Sequence, residues 1–449
     1  MKAKIFSYLA PLAVAFSVSL TVTAQDDGVS VYVCGMDNGS AVYWKDGVEV
    51  VVHPYPTDAV WGIDYSSSAN SIFVSDNGDV HLAGTMKIQD GWDNYGHPRM
   101  VDAAAYWKSN EEVKEVKLTG NNAQAIFVSE NDVYIAGTYN WDGVYWKNSN
   151  VGTFEQTFIN PHYESTDGGY TTYTRSTPSS IFVSGKDVYM GGSTYYHTDI
   201  NNSKDSLTAG YWKNDEPVSL AVWHYAGSYS SLNPSVKSIY VSGNDVYACG
   251  TDGAAFVYWK NGVATKLSSA AGVCSIFVSG NDVYVAGSKT GPGFTVQAAY
   301  WKNGTLVPLG VAPASANSTS SGTYGIYVFN NDVYVCGVNR AGAFVYWKNG
   351  TEVRLTGGYA EVHGIFVTHS GQDVTAIKSV DNPSFHACFI NNALKIESPN
   401  AELISIYSIT GKLLYAGKKN EGMIEIPFTT TQGIYIIKGS VSGTIKTVK

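Results

Sequence analysis

The tripeptide Tyr-Trp-Lys occurs seven times, centred on Trp44, Trp107, Trp146, Trp212, Trp259, Trp301 and Trp347. Self-similarity of this kind means an array of one supersecondary unit, which limits the possible folds more than any single motif does. The spacings are 63, 39, 66, 47, 42 and 46 residues, a basal period near 42 with a few insertions. A second block, Asp-Val-Tyr-x-x-Gly, recurs at Val133, Val188, Val246, Val283 and Val333, with looser copies at Val31, Val80 and Val374. A third, close to Ser-Ile-Phe-Val-Ser, recurs at Ile72, Ile126, Ile181, Ile239, Ile276, Ile326 and Ile365. Each unit therefore reads as four short strands. Strand a is Ile-Phe-Val-Ser, strand b is Val-Tyr-x-x-Gly, strand c ends in Tyr-Trp-Lys, and strand d is a weaker apolar segment such as Ala264 to Leu267. Gly243-Asn244 and Gly280-Asn281 between a and b, with Asn261-Gly262, Asn303-Gly304 and Asn349-Gly350 between c and d, are two-residue hairpin signals. Four antiparallel strands per repeat predict the blades of a β-propeller.

Counting b and c strands gives eight units, with Phe385 to Asn391 as a worn eighth copy of the Tyr-Trp-Lys strand. Counting a strands gives seven, because residues 25–30 lead directly into the first b strand. The expectation is an all-β chain with an eight-bladed propeller over residues 25–394, its first blade lacking a complete strand a; seven blades is the alternative. Composition agrees, since 46 Gly, 32 Tyr and only 15% charged residues suit a β-rich, turn-rich globular chain. A formal charge of −9 with no basic run argues against nucleic acid as a partner.

The two ends break the repeat. Residues 1–24 read as a signal peptide: Lys2 and Lys4, an apolar stretch from Ile5 to Val22, and small residues at Val22-Thr23-Ala24. No later stretch reaches the ~18 apolar residues of a membrane span. Residues 395–449 alternate as short strands and predict a small β-sandwich. Its blocks Ile406 to Tyr415 (IYSITGKLLY), Gly433 to Gly439 (GIYIIKG) and Thr444 to Lys449 (TIKTVK) resemble the C-terminal sorting domain of type IX secretion substrates in Bacteroidetes. The repeat itself, as in Val283 to Gly287 and Ala299 to Gly304, resembles uncharacterised propeller repeats of Bacteroidetes surface proteins. These resemblances imply a secreted or outer-surface protein that meets its export machinery through the C-terminal domain; they imply no activity.

Strands alternate in direction, so the a–b and c–d turns share one face and the b–c and d–a connections share the other. The first set is short. The second holds every large insertion: residues 54–70, 85–102, 155–179, 193–209 and 221–236. Insertions with their own aromatics on a rigid scaffold are where binding sites usually lie. The ligand-binding candidates are Trp61, Asp64, Trp92, Asp93, Tyr95, Trp141, Tyr170, Tyr173, Tyr195, Tyr196, Trp223 and Tyr225. Arg175 and His197 stand in the same insertions. Aromatic rings beside carboxylates suit a glycan, whose pyranose C–H faces stack while hydroxyls hydrogen-bond, and equally an extracellular protein. The alternative is that these aromatics merely order the insertions. The seven Tyr-Trp-Lys tryptophans read as packing between blades, and the Asp before each Val-Tyr as an acceptor for turn N–H groups.

Nothing assigns a catalytic residue. P-loop, His-Glu-x-x-His, Gly-x-Ser-x-Gly and dinucleotide fingerprints are missing, the nine histidines lack metal-ligand spacing, and no cofactor or metal is expected. Loop carboxylates Asp64, Asp93, Glu164 and Asp167 leave a polysaccharide hydrolase or lyase as the alternative function. A structural surface protein without a small ligand is the other. Cys34, Cys249 and Cys336 occupy one place in strand b and read as buried free thiols. The protein is expected to be a monomeric, non-catalytic binding or adhesion module.

Overall fold

A computed structural model describes residues 28–448 apart from short internal stretches, the longest being 199–204, 225–231, 311–320, 370–385 and 428–433. The signal segment, Trp61, Tyr95, Tyr225 and Val374 lie outside the described residues. The chain is all-β, and among the described residues seven antiparallel sheets, six of four strands and one of five, follow one another around a β-propeller. Blade 2 runs Ser67–Val74, Val80–Trp92, Pro98–Ser109 and Val113–Lys117; blade 6, with little insertion, runs Ala270–Ser279, Asp282–Thr290, Val296–Lys302 and Thr305–Pro308. Blade 1 takes strands b, c and d from Val29–Asp37, Ser40–Lys45 and Val48–His53, and strand a from Ala360–His369 at the other end of the repeat region. Among the described residues no helix is long and apolar enough to cross a membrane.

Among the described residues this closure gives seven blades, the alternative count, rather than eight. The strand a missing at the N-terminus and the seventh strand a are one and the same, zipped onto Val29–Asp37 from Val29↔His369 to Asp37↔Ala360. The supposed eighth copy goes elsewhere: His386–Ile390 pairs with Ala393–Ser398, which pairs with Gly422–Pro427. That sheet and a second one, from Glu402–Ser408, Leu413–Lys419, Ile434–Gly439 and Gly443–Val448, bury Leu394, Ile396, Ile404, Ile406, Ile426 and Ile437. A ring of side chains gives the same count of blades. Phe73, Phe127, Phe182, Tyr240, Phe277, Tyr327 and Phe366, one from each strand a, touch in order with centroids 4.6–5.3 Å apart, and Phe366 closes on Phe73 at 4.8 Å.

Each block of the repeat has a physical reason. In all seven blades strand a carries a one-residue bulge opposite the Gly of strand b. A Cβ on Gly35, Gly84, Gly137, Gly192, Gly250, Gly287 or Gly337 would stand 1.8–2.3 Å from a strand-a carbonyl oxygen. The glycine is there because two backbones meet. The tryptophans of Tyr-Trp-Lys are buried to 0–2% exposure, which removes them as a ligand-binding ring. Trp146 and Trp301 donate through Nε1 to the carbonyls of Thr119 and Ser268, so each also ties down the d–a connection.

The Asp before Val-Tyr does something other than expected. Asp282 accepts from Lys302 Nζ at 2.7 Å and Asn303 Nδ2 at 2.7 Å, while the side-chain Oδ1 of Asn303 accepts the Val283 N–H. Asn is the residue that satisfies the backbone, and its φ of 49° suits the primed turn. The same clasp recurs at Asp187, Asp245 and Asp332, with the lysine over the Tyr ring. The lysine and the amide hold the Asp187, Asp245 and Asp282 carboxyls below their usual range. Cys34, Cys249 and Cys336 are buried free thiols, and burial pushes the Cys34 thiol up to about 12.

Candidate functional site

Three of the predicted insertions, 85–102, 155–179 and 193–209, are largely strand. Residues 85–102 prolong strands b and c of blade 2 into a hairpin paired as far as Trp92↔Pro98. In blade 4, strand a spans Tyr170–Ser184 and strand b Asp187–Thr198, followed by Ser206–Lys213 and Glu216–His224, with Glu164–Asp167 as a fifth strand. Runs such as Thr171-Thr172-Tyr173-Thr174 and Ser193-Thr194-Tyr195-Tyr196 are β-branched and aromatic, so the ladder continues where a loop was expected.

That register gathers a cluster. Arg175 pairs with Tyr195, Tyr195 with Leu207, and Leu207 with Trp223, so the four side chains form one row across one face of the sheet. Tyr173 and His197, paired two residues further out, lie on the same face with rings 4.7 Å apart. Asp205 binds this group together. Its carboxylate accepts from the Thr198 N–H at 2.8 Å and the Tyr195 hydroxyl at 3.0 Å, and His197 Nδ1 lies 2.9 Å away. Burial opposes ionisation of Asp205, but the bonds from Thr198, His197 and Tyr195 outweigh it and hold the carboxyl below its usual range.

Blade 3 completes the cluster with Trp141. The turn Asn140-Trp141 joins strand Asp132–Tyr139 to Asp142–Ser149, and Trp141 adopts φ 78°, a conformation a bulky residue rarely takes. Its ring is 72% exposed. The Arg175 guanidinium lies 5.4 Å from the Trp141 ring centre and 4.5 Å from that of Tyr173.

The remaining candidates stand apart. Trp92 is 66% exposed at the tip of the blade 2 hairpin, where Asp93 accepts the His97 N–H at 2.8 Å. Asp64 accepts from the Ser66 N–H at 2.9 Å and faces Lys87 at 3.8 Å. Burial pushes its carboxyl up, yet Ser66 and Lys87 leave it below the ordinary value, the opposite of what a general acid needs. Tyr196 points to the other face of blade 4. Tyr170 pairs with Asp167 along the backbone; its side chain, like those of Glu164 and Asp167, lies outside the described residues. A Ser–His pair, Ser75 Oγ and His81 Nε2 at 3.1 Å, sits buried on the short-turn face, where burial and Lys108 lower the imidazole to about 4. Its ring is neutral at pH 7 and only weakly basic. The list of candidates drawn from sequence omitted Arg175, His197 and Asp205. The first two stood among the insertion residues, but only strand register brings all three to one face.

No family profile matches the chain, and no curated protein matches it in sequence. Solved structures with some likeness include PorZ, a surface component of the type IX secretion system of Porphyromonas gingivalis, at 9% identity over 92% of this chain and 80% of that one, TM-score 0.22. They also include an ulvan lyase of polysaccharide lyase family 25, at 10% identity over 89% and 91%, TM-score 0.32. A third is an α-L-arabinofuranosidase from Clostridium thermocellum, at 10% identity over 67% and 96%, TM-score 0.29. The propeller assignment stands on the strand pairing itself.

Proposed function

We propose that this protein is an exported, non-catalytic binding module that holds a glycan on the face carrying the prolonged strands of blade 4. The observation that carries this reading is Trp141: a largely exposed aromatic at a strained turn, set beside Arg175 and the Tyr173–His197 pair. Backbone strain persists where surrounding structure enforces it, and such positions cluster at functional sites. Exposed rings offer stacking faces to pyranose C–H groups, while Tyr195, His197 and Arg175 supply hydrogen-bonding edges.

A glycan array probed with the mature chain tests this. Binding is expected, and an assay for new reducing ends on every bound glycan is expected to show no turnover. A folded sample that binds no glycan overturns the reading in favour of a protein ligand. Turnover would favour the second reading, a polysaccharide lyase or hydrolase, for which the contacts Tyr195–Asp205 and His197–Asp205 speak. Export rests on the segment at residues 1–24 and on the C-terminal sandwich, residues 395–449, as a sorting or attachment module of a Bacteroidetes-type cell surface. Fractionation that finds the chain retained in the cytoplasm contradicts it.

A further inference from the structure

Arg175 differs from the other arginines whose contacts are seen. Arg99 pairs with Asp90 and Arg354 with Glu352, as expected of cations in a chain of charge −9. Arg175 has no ion pair and no hydrogen bond among the described residues, and its Nε is buried without a partner. The described carboxylates of this cluster do not compensate it. Asp205 is committed to Thr198, Tyr195 and His197, and Asp142, next to Trp141, forms no ion pair with it. Instead the guanidinium rests on two aromatic rings, Tyr173 and Trp141. Stacking there withholds water from the guanidinium faces and directs the remaining donors along its edge. The half-buried guanidinium thus keeps donors that no described carboxylate takes up.

We infer that Arg175 receives the carboxylate of an acidic saccharide, so that the ligand class is uronate-bearing glycans. This deepens the glycan-binding reading and rests on it. A carboxylate is planar and takes two parallel N–H bonds from a guanidinium, a match that a hydroxyl or neutral ring oxygen cannot make. Trp141 and Tyr173, flanking the guanidinium, then meet the sugar ring that bears the carboxylate. Tyr195 and His197, on the same sheet face, lie where neighbouring hydroxyls would fall.

The test is calorimetric titration of the full mature chain with polygalacturonate, alginate and hyaluronan, each beside its carboxyl-reduced form. Wild type is expected to bind at least one acid form tenfold or more tighter than its reduced counterpart, with affinity falling as salt rises. Arg175→Gln should abolish that preference. Arg175→Lys, which keeps charge but loses the planar fork, should recover only a small part of it and decides the matter if Arg175→Gln fails to fold. Equal binding of acid and reduced forms, or a preference that survives Arg175→Gln, overturns the inference while leaving glycan binding standing. Failure to bind these glycans and every neutral glycan on an array overturns both.

Discussion

Gly287→Ala is expected to cost about 3 kcal/mol, at the upper end of what overpacking a tight interior costs. The added methyl would stand 2.1 Å from the Gly272 carbonyl oxygen and 3.0 Å from Trp301 Cζ3. The first neighbour is backbone, held in the bulge of strand a, and the second is the fully buried indole of the next strand. Neither can swing aside, so the inner edge of the blade must shift. Gly322→Ala is the matched control. It is also a strand glycine, but nothing lies within 4 Å of its Cβ position, and it should change stability by less than about 1 kcal/mol. Thermal melts of the two variants beside wild type check this. Equal melting temperatures for all three would mean that the bulge, glycine and tryptophan are not interlocked.

His81→Tyr is expected to remove about 3 kcal/mol of the loss of stability between pH 6.5 and 4. Six blades place Tyr in this position of strand b, whereas blade 2 has His81, buried and contacting Tyr106 and Ser75. Burial, aided by Lys108, lowers its pKa from 6.5 to about 4, with Asp79 opposing. The fold therefore favours the neutral ring. As pH falls below 6.5 the unfolded chain takes up a proton that the folded chain refuses, so stability declines until about pH 4 and then levels for this group. The shift corresponds to roughly 3 kcal/mol. Tyr at this position meets the Tyr of strand c in other blades, as Tyr284 meets Tyr300 at 6.5 Å, close to the 6.1 Å between His81 and Tyr106. Urea unfolding at pH 7, 5.5 and 4 reads the difference. Parallel curves for wild type and variant would show that His81 is protonated in the native protein.

The fold was largely legible because each strand carries its own repeated signature. Asn303-Gly304 or Ile276-Phe277-Val278 announce a turn or a strand wherever they stand. Ring closure was not legible, since Val29–Asp37 and Ala360–His369 are neighbours only through the circle. Pattern counting therefore found a blade short of one strand and looked for an eighth. The glycine of Asp-Val-Tyr-x-x-Gly was visible as a repeat, but the bulge it faces depends on pairing across the sheet. The site followed the same division. Tyr173, Tyr195 and Trp223 stood out as aromatics in insertions, and Trp141 as one in a shorter b–c loop. That Arg175, His197 and Asp205 join Tyr195 on one face, while Tyr196 turns away, follows from register and parity in a ladder that was expected to be loop.

The central claim is that ligand binding belongs to the junction of blades 3 and 4. Its most direct test compares wild type, Trp141→Ala, Trp223→Ala and Trp92→Ala on the glycans that the array returns. Loss of tenfold or more in Trp141→Ala, a clear loss in Trp223→Ala and wild-type binding in Trp92→Ala is the expected result. Binding that survives Trp141→Ala and Trp223→Ala but fails in Trp92→Ala would place the site on the blade 2 hairpin and contradict it.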